Sequence, residues 1–457
     1  MNYFLGIDVG TSKIAAVLLD SSFNLVEKAI EPTGAELDLA DAYFDEQNTE
    51  AIWQALLRCV NKLSKEKRER VLALGLTGQM HGVCLWKRES VGRSSPLVSN
   101  LITWQDRRCL KDGFIEELQS LTGESTLSTG FGCATLAWFK RNNPALLKDF
   151  DAASTIHDFI AARLCGSTKS FTDPTDAASW GLFDIYSKEW QREKIEMLGI
   201  EAKFLPEVLP TGSVCGELRK DMADLLGLKN GIPVTLPIGD NQASILATVE
   251  DPKKDISLTI GTGSQLSLVV ESKDEIPKTL APSVDVRPYL GDSYALVAAS
   301  LVGGSAIKWL AEFIEKTAVI LNAPSFSKEE LYSLIDNLGK KAFREEPYCK
   351  LEVIPTFLGE RHKPDALGEI KNIGMKDFTL ENLSYKTAFG LLKNLKEMFP
   401  EDLLKKRGRI IGSGNGIRKL SLIQELVPYV FQLPLKILPE TEEAAKGAAI
   451  LSAKGQK

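Results

Sequence analysis

Two glycine-rich turns, each set between apolar runs, lie about half a chain apart in this 457-residue sequence. The first is Leu5-Gly6-Ile7-Asp8-Val9-Gly10-Thr11-Ser12, the second Leu258-Thr259-Ile260-Gly261-Thr262-Gly263-Ser264. β-Prone residues on both sides of a short glycine turn predict a hairpin, with glycine where the turn needs a positive φ. A hairpin repeated at that interval predicts two related domains. The length agrees, because a single core stops growing near roughly 250–300 residues. Proline and unpaired charges in Glu250-Asp251-Pro252-Lys253-Lys254-Asp255 suit an exposed connection, so the expected domains are 1–249 and 250–457. Chance similarity between two short turns is the competing reading.

Strands and helices alternate along the rest of the chain, which predicts an α/β class. Ile52, Ala55, Leu56, Cys59, Val60 and Leu63 recur at helical spacing behind a cap at Asn48 or Thr49. Val71 to Leu76 reads as a strand leading into Thr77-Gly78-Gln79-Met80-His81-Gly82. Val234 to Ile238 reads as a buried strand, after which Gly239-Asp240-Asn241 opens a helix.

Several functions are disfavoured. With 55 Lys and Arg against 61 Asp and Glu the net charge is −6, and no basic cluster offers a nucleic-acid or membrane footprint. Seven scattered cysteines without a CxxC pair predict free thiols in a reducing compartment and no structural zinc. No run of about 18 apolar residues exists, and Asp8 is reached without a basic region or cleavage site, so a cytoplasmic protein is expected. There is no Walker A loop and no protein-kinase motif set. A dinucleotide fingerprint fails at Gly412-Ser413-Gly414-Asn415-Gly416, where Ile417 stands in the place of the third glycine.

The paired turns offer another way to hold phosphate. Backbone N–H groups and hydroxyls converge there, and a larger side chain would hold the ligand off. Gly10, Thr11 and Ser12 form one candidate set, Gly261, Thr262 and Gly263 the other. Asp8 could hold Mg²⁺ through water, since Mg²⁺ keeps much of its hydration shell. For each turn alone an ordinary β-turn is the alternative. Gln79, Met80 and His81, with Trp104-Gln105-Asp106-Arg107, combine an aromatic face with polar groups, as a polyhydroxylated ligand requires. A structural histidine is the alternative for His81 and the favoured reading for His157. Asp240, between a strand and a helix, could take the proton of a sugar hydroxyl; it or Asn241 could equally be a plain helix N-cap. Gly412, Gly414 and Asn415 could lie against a nucleoside, as could the small-residue helix 442–449, with close helix packing as the equal alternative.

GIDVGTS at 6–12, GQMHG at 78–82, GDN at 239–241, GTGS at 261–264, GGSAIKW at 303–309 and GSGN at 412–415 together resemble the FGGY carbohydrate kinases, from about Phe4 to Leu451. The resemblance implies two actin-like (RNase H-like) ATPase domains with ATP and sugar in a cleft between them. It implies Asp240 as catalytic base, with Met80, His81, Asp240 and Asn241 on the sugar. It also implies the turns on phosphate, and Gly412 to Asn415 against adenosine. The blocks at 102–109, 128–139 (STGFGCATLAWF), 155–166 and 358–362 resemble the branch that phosphorylates sedoheptulose. Thr135 stands where many family members carry lysine, so that lysine's contact does not carry over. The expected reaction is ATP- and Mg²⁺-dependent phosphorylation of the terminal hydroxyl of a ketose, sedoheptulose giving the 7-phosphate and feeding the pentose phosphate pathway. Xylulose or another ketose or polyol is the alternative within the class. An actin-like ATPase without sugar kinase activity is a rival from another class, but it leaves Gln79, Met80, His81 and Trp104 without purpose; a silent sugar sensor is a third. Glu360-Arg361-His362 has no role readable from the sequence.

Overall fold

The computed structural model describes residues 1–345, 348–360, 362–363 and 365–455. The chain divides into two compact units, one of Met1–Ala247, Pro288–Asp292 and Glu442–Lys457, the other of Thr248–Arg287 and Ser293–Thr441.

In the first unit β1 (Tyr3–Val9), β2 (Lys13–Leu19) and β3 (Leu25–Pro32) run antiparallel. The helix α1 (Thr49–Asn61) follows, with Asn48 Oδ1 accepting from the Ala51 N–H at 2.9 Å and Ile52, Trp53, Leu56 and Val60 buried. Next come β4 (Val71–Gly78), α2 (Ile156–Cys165), β5 (Val214–Glu217), β6 (Pro233–Thr235), β7 (Ile238–Gly239) and α3 (Asp240–Thr248). The sheet order is β5-β6-β4-β1-β2-β3, with β7 also on β4, and β1, β6 and β7 lie parallel to β4. The expected strand 234–238 is therefore broken at Leu236-Pro237, where proline supplies no ladder donor. Residues between β4 and β5 build a core of their own around Trp180, Trp190, Phe139 and Phe204.

The second unit repeats the plan. Strands β8 (Asp255–Ile260), β9 (Ser264–Val270), β10 (Val284–Pro288) and β11 (Tyr294–Ser300) precede the helices α4 (Gly304–Ile320) and α5 (Leu380–Met398). Then follow β12 (Arg409–Ser413), α6 (Asn415–Lys419) and β13 (Leu435–Ile437). The order is β10-β11-β9-β8-β12-β13. Antiparallel pairs β8/β9 and β9/β11 match β1/β2 and β2/β3, and β12 lies parallel to β8 as β4 does to β1. The two glycine turns occupy equivalent corners of two actin-like domains, each a three-residue link between the first two strands.

The turn glycines Gly10, Gly261 and Gly263 do not have the positive φ expected of them. Close approach explains two of the three. A Cβ on Gly10 would lie 3.0 Å from the Lys13 carbonyl, and one on Gly263 2.9 Å from that of Ser300.

The helix Glu443–Lys454 packs in the first unit, although a boundary at 250 would place it in the second. Its backbone touches β1 and β4 directly: a Cβ on Gly6 would stand 1.9 Å from the Ala445 carbonyl, one on Gly75 2.0 Å from that of Ala448. Gly447 meets the Ala243 carbonyl of α3 in the same way, at 1.9 Å. The small residues of 442–449 thus serve close packing. Among the described residues all seven cysteines are free, and no helix is long and apolar enough to cross a membrane.

Candidate active site

Strand register brings the first unit's acidic residues to one level. Asp8 lies opposite Thr77 and Val9 opposite Gly78, while Ile238 and Gly239 pair with the same two residues from the other side. Asp8 and Asp240 therefore share the carboxyl edge of parallel strands, where open α/β sheets present reactive groups. Asp8 Oδ1 is shielded from solvent and makes no hydrogen bond. Burial, and next the charge of Asp240, push the Asp8 carboxyl up to about 7, against a smaller opposing pull from Lys13. Lys13 is itself held by Glu442 at 2.7 Å. A shielded carboxylate oxygen beside a second acid is a fitting place for a divalent cation.

Asp240 opens α3, and hydrogen bonds fix the chain entering it. Thr77 Oγ1 donates to the Ile238 carbonyl at 2.6 Å, and the Gly239 N–H donates to Thr175 Oγ1 at 2.9 Å. Thr175 donates in turn to Asp173 Oδ1 at 2.7 Å. Met80 packs over Gly239, with its Sδ and Cε 2.7 Å from where a Cβ would be. Asn241 is half-buried in the first turn of α3.

Beneath lies a cluster that sequence reasoning missed. His157 Nε2 and Asp176 Oδ2 are 2.8 Å apart and fully buried. Burial, and then Asp240, push the Asp176 carboxyl well up, while burial lowers His157 against the opposing pull of nearby carboxylates. Both shifts disfavour the charged forms of the pair. His157 accordingly fills the structural role favoured for it, its Nδ1 against Gly78. Asp158 joins His157 and Asp176 with donor atoms within 4.8 Å, but burial raises its carboxyl well above the usual range too, and protonated acids are poor cation ligands. The available signal was Asp173-Pro174, an N-cap followed by proline at the first helical position, with Asp173 accepting from the Asp176 N–H.

The polar cluster of Gln79 and Trp104 meets the first glycine turn. Thr11 Oγ1 donates to Gln79 Oε1 at 3.3 Å and accepts from the Trp104 indole N–H at 3.0 Å, while Gln47 bonds both Gln79 (2.9 Å) and the Thr11 carbonyl (2.8 Å). Trp104 remains 42% exposed, so its ring face is available to a ligand. His81 sits at φ +72°, its ring stacked on Phe131 at 4.6 Å and its Nδ1 2.8 Å from the Ser179 carbonyl. A carbonyl only accepts, so Nδ1 carries the proton.

Asp106 does not join this group. It is fully buried, gripping Arg108 through both oxygens (2.8 and 2.9 Å) and accepting from the N–H groups of Asp45 and Arg108. No lone pair remains for a ligand. Arg108 is enclosed by Phe44, Trp138 and Phe139, with ring centroids 4.5–5.1 Å from its guanidinium carbon. Thr135 is buried nearby in the same helix as Trp138, its hydroxyl unpaired.

In the second unit the turn 261–263 is seated on the start of α4. The Gly304 N–H donates to the Gly261 carbonyl at 2.8 Å, and Ser305 donates to the Thr262 carbonyl through N (3.2 Å) and Oγ (2.9 Å). Gly261 and Thr262 are exposed. Gly414, at φ +85°, packs on the Ile260 carbonyl, and Asn415 is exposed beside it. Gly412 is buried, its Cβ direction filled by Leu435 and Ile417, so it spaces the core instead of facing a nucleoside.

Comparison with known proteins fits this geometry. Residues 3–247 match the N-terminal domain of the FGGY family of carbohydrate kinases. Sedoheptulokinases of Mus musculus and Homo sapiens are each 32% identical, over 98% of this chain and 96% of theirs. Among solved structures, xylulose kinase from Rhodospirillum rubrum aligns with a TM-score of 0.84 at 21% identity, over all of this chain and 90% of that one. Plasmodium falciparum glycerol kinase with ADP aligns at 0.79 and 20%, with the same coverage. The chain belongs to the FGGY family of carbohydrate kinases, whose members transfer phosphoryl groups from ATP to small sugars.

Proposed function

We propose that the chain transfers the γ-phosphoryl group of ATP to the terminal primary hydroxyl of sedoheptulose, yielding sedoheptulose 7-phosphate and ADP and supplying the pentose phosphate pathway. The full-length likeness to two sedoheptulokinases carries the choice of sugar. Asp240 accepts the hydroxyl proton as that oxygen attacks the γ-phosphorus and the bond to the ADP oxygen breaks. Met80, His81, Asn241, Gln79 and the Trp104 face hold the sugar. Gly10, Thr11 and Ser12 donate to phosphate oxygens, as do Thr262 and Gly263, while Gly261, whose own N–H donates to the Gly263 carbonyl at 2.9 Å, shapes the turn without donating, and Gly414 and Asn415 lie against the nucleoside. Asp8 would hold Mg²⁺, which when bound neutralises triphosphate charge. Asp106 and Gly412 leave the ligand-contacting set for the reasons given above.

A panel of sedoheptulose, xylulose, ribulose, gluconate and glycerol, assayed for ATP consumption with and without Mg²⁺, tests the reading. Sedoheptulose should give the highest kcat/KM, and only with Mg²⁺; preference for a pentulose would remove the heptulose assignment. Asp240→Asn should lower kcat by roughly 10²–10⁴ with folding intact. Turnover near the wild-type rate would strike Asp240 from its role.

A further inference from the structure

Glu360, in the segment Leu358-Gly359-Glu360-Arg361-His362, is only 2% exposed, although it lies between the short strands Glu352–Ile354 and Glu369–Lys371 rather than in a core element. Arg361 is outside the described residues. Burying a carboxylate is costly unless its oxygens are hydrogen-bonded, so its partners indicate what the side chain is for. Glu360 Oε1 accepts from Ser300 Oγ at 2.7 Å and from Asn394 Nδ2 at 2.8 Å. It thereby ties the last residue of β11 to α5.

Ser300 passes the constraint on. Its hydroxyl, donating to Glu360, accepts from the Val302 N–H at 3.2 Å, and the Val302 carbonyl accepts from Ser264 Oγ at 2.7 Å. Ser264 is the first residue after the glycine turn and pairs with Ser300 across β9 and β11. Beyond Val302 the chain presses on the turn itself: a Cβ on Gly303 would fall 2.1 Å from the Gly263 carbonyl, and Gly304 and Ser305 bond Gly261 and Thr262 as described. The segment 300–305 is thus the platform under the turn, and Glu360 pins its leading end.

We propose that Glu360 is a positioning residue for the 261–263 turn, acting through Ser300 to hold the backbone donors that meet ATP phosphate. The inference rests on the reading of that turn as a phosphate site. It predicts a division that a general loss of stability would not give. Glu360→Ala should weaken ATP binding and raise KM for ATP about tenfold, leaving KM for the sugar unchanged. Glu360→Gln should stay within about twofold of wild type, because Oε2 makes no hydrogen bond and the acceptor Oε1 is retained. Ser300→Ala, which leaves the Asn394 bond in place, should shift ATP affinity in the same direction as Glu360→Ala.

Titration of wild type and variants with ATP, without sugar, followed by calorimetry, separates this idea from the kinase reading. If no sugar is phosphorylated the kinase reading fails, while the ATP titration still reports on Glu360. A folded Glu360→Ala with unchanged ATP affinity, or with sugar KM raised as much as ATP KM, would overturn the proposal. So would a Gln variant as impaired as the Ala variant. Should Glu360→Ala not fold, Ser300→Ala decides by the same ATP measurement.

Discussion

Asp173→Asn should stabilise the first unit, and by an amount that depends on pH. Asp173 is fully buried, its Oδ1 accepting from Thr175 Oγ1 (2.7 Å) and the Asp176 N–H (3.0 Å) and its Oδ2 from Thr211 Oγ1 (2.6 Å). Burial, and next the Asp176 carboxyl, outweigh these bonds and push Asp173 up to about 7 from an ordinary 3.8. A carboxyl whose folded pKa is raised holds its proton more tightly in the folded chain than in the unfolded one. The contribution of Asp173 to stability therefore falls as pH rises from about 4 to about 7, and is constant above that window. At about 1.4 kcal/mol per unit, the raised pKa of Asp173 costs about 4 kcal/mol at pH 8, where the folded carboxyl is ionised, and about 2 at pH 5, where only the unfolded chain has released the proton. Asparagine keeps the Oδ1 acceptor, and the Thr211 hydroxyl can turn to accept from the new amide. Urea unfolding followed by tryptophan fluorescence reads mainly this unit, because Trp309 is the only one of seven tryptophans outside it. The gain over wild type should be about twice as large at pH 8 as at pH 5. An equal gain at both, or a larger one at pH 5, would refute the reasoning.

His157→Ala leaves the buried Asp176 carboxyl without its partner and opens a cavity, so it should cost about 3 kcal/mol and lower the melting temperature in calorimetry. A change below about 0.5 kcal/mol would mean the pair is replaceable by water. Gly75→Ala places a methyl 2.0 Å from the Ala448 carbonyl, where backbone must move, and should cost about 3 kcal/mol or prevent folding. The same substitution at Gly34 meets no atom within 4 Å and carries only the cost of its positive φ, about 1 kcal/mol, a control measurable by the same unfolding assay.

What was legible in the sequence followed from local chemistry. The turns announced themselves because glycine and hydroxyl residues interrupt β-prone runs twice, and the duplicated sheet followed from that one pattern. Asp240 was legible because a strand, a glycine and an acid come in sequence. Whether such an acid faces a ligand is a different matter, since it depends on partners. Asp106 resembled a ligand group until Arg108, two residues on, was seen to use both its oxygens, whereas Asp173-Pro174 marked a helix start but not that Asp173 and Asp176 stand behind Asp240. The docking of helix 443–454 depends on Gly6 and Gly75, more than 350 residues away, and no local pattern reports such a contact. The broken strand at Leu236-Pro237 is another case: the proline was in view, but its effect on the ladder needed β4 beside it.

The buried acids around Asp240 raise a physical difficulty that their protonation resolves. Asp8 and Asp176 both feel the charge of Asp240, and Asp173 is linked to it through Thr175 and the Gly239 N–H, so three ionised neighbours would oppose the charge that the proposed base needs. Burial removes part of that charge. Burial disfavours the charge on Asp176 and outweighs the three donors to Asp173, and Asp173 holds the Gly239-Asp240 link through Thr175. Asp8 Oδ1, like Asp176 Oδ1, is shielded and has no donor to satisfy it. If Asp8 holds Mg²⁺ as proposed, the cation would favour its ionised form and relieve its repulsion with Asp240, the proposed base. On the proposed reading, the burial that raises the Asp8 carboxyl and the role of Asp240 as base would therefore be reconciled by a cation at Asp8.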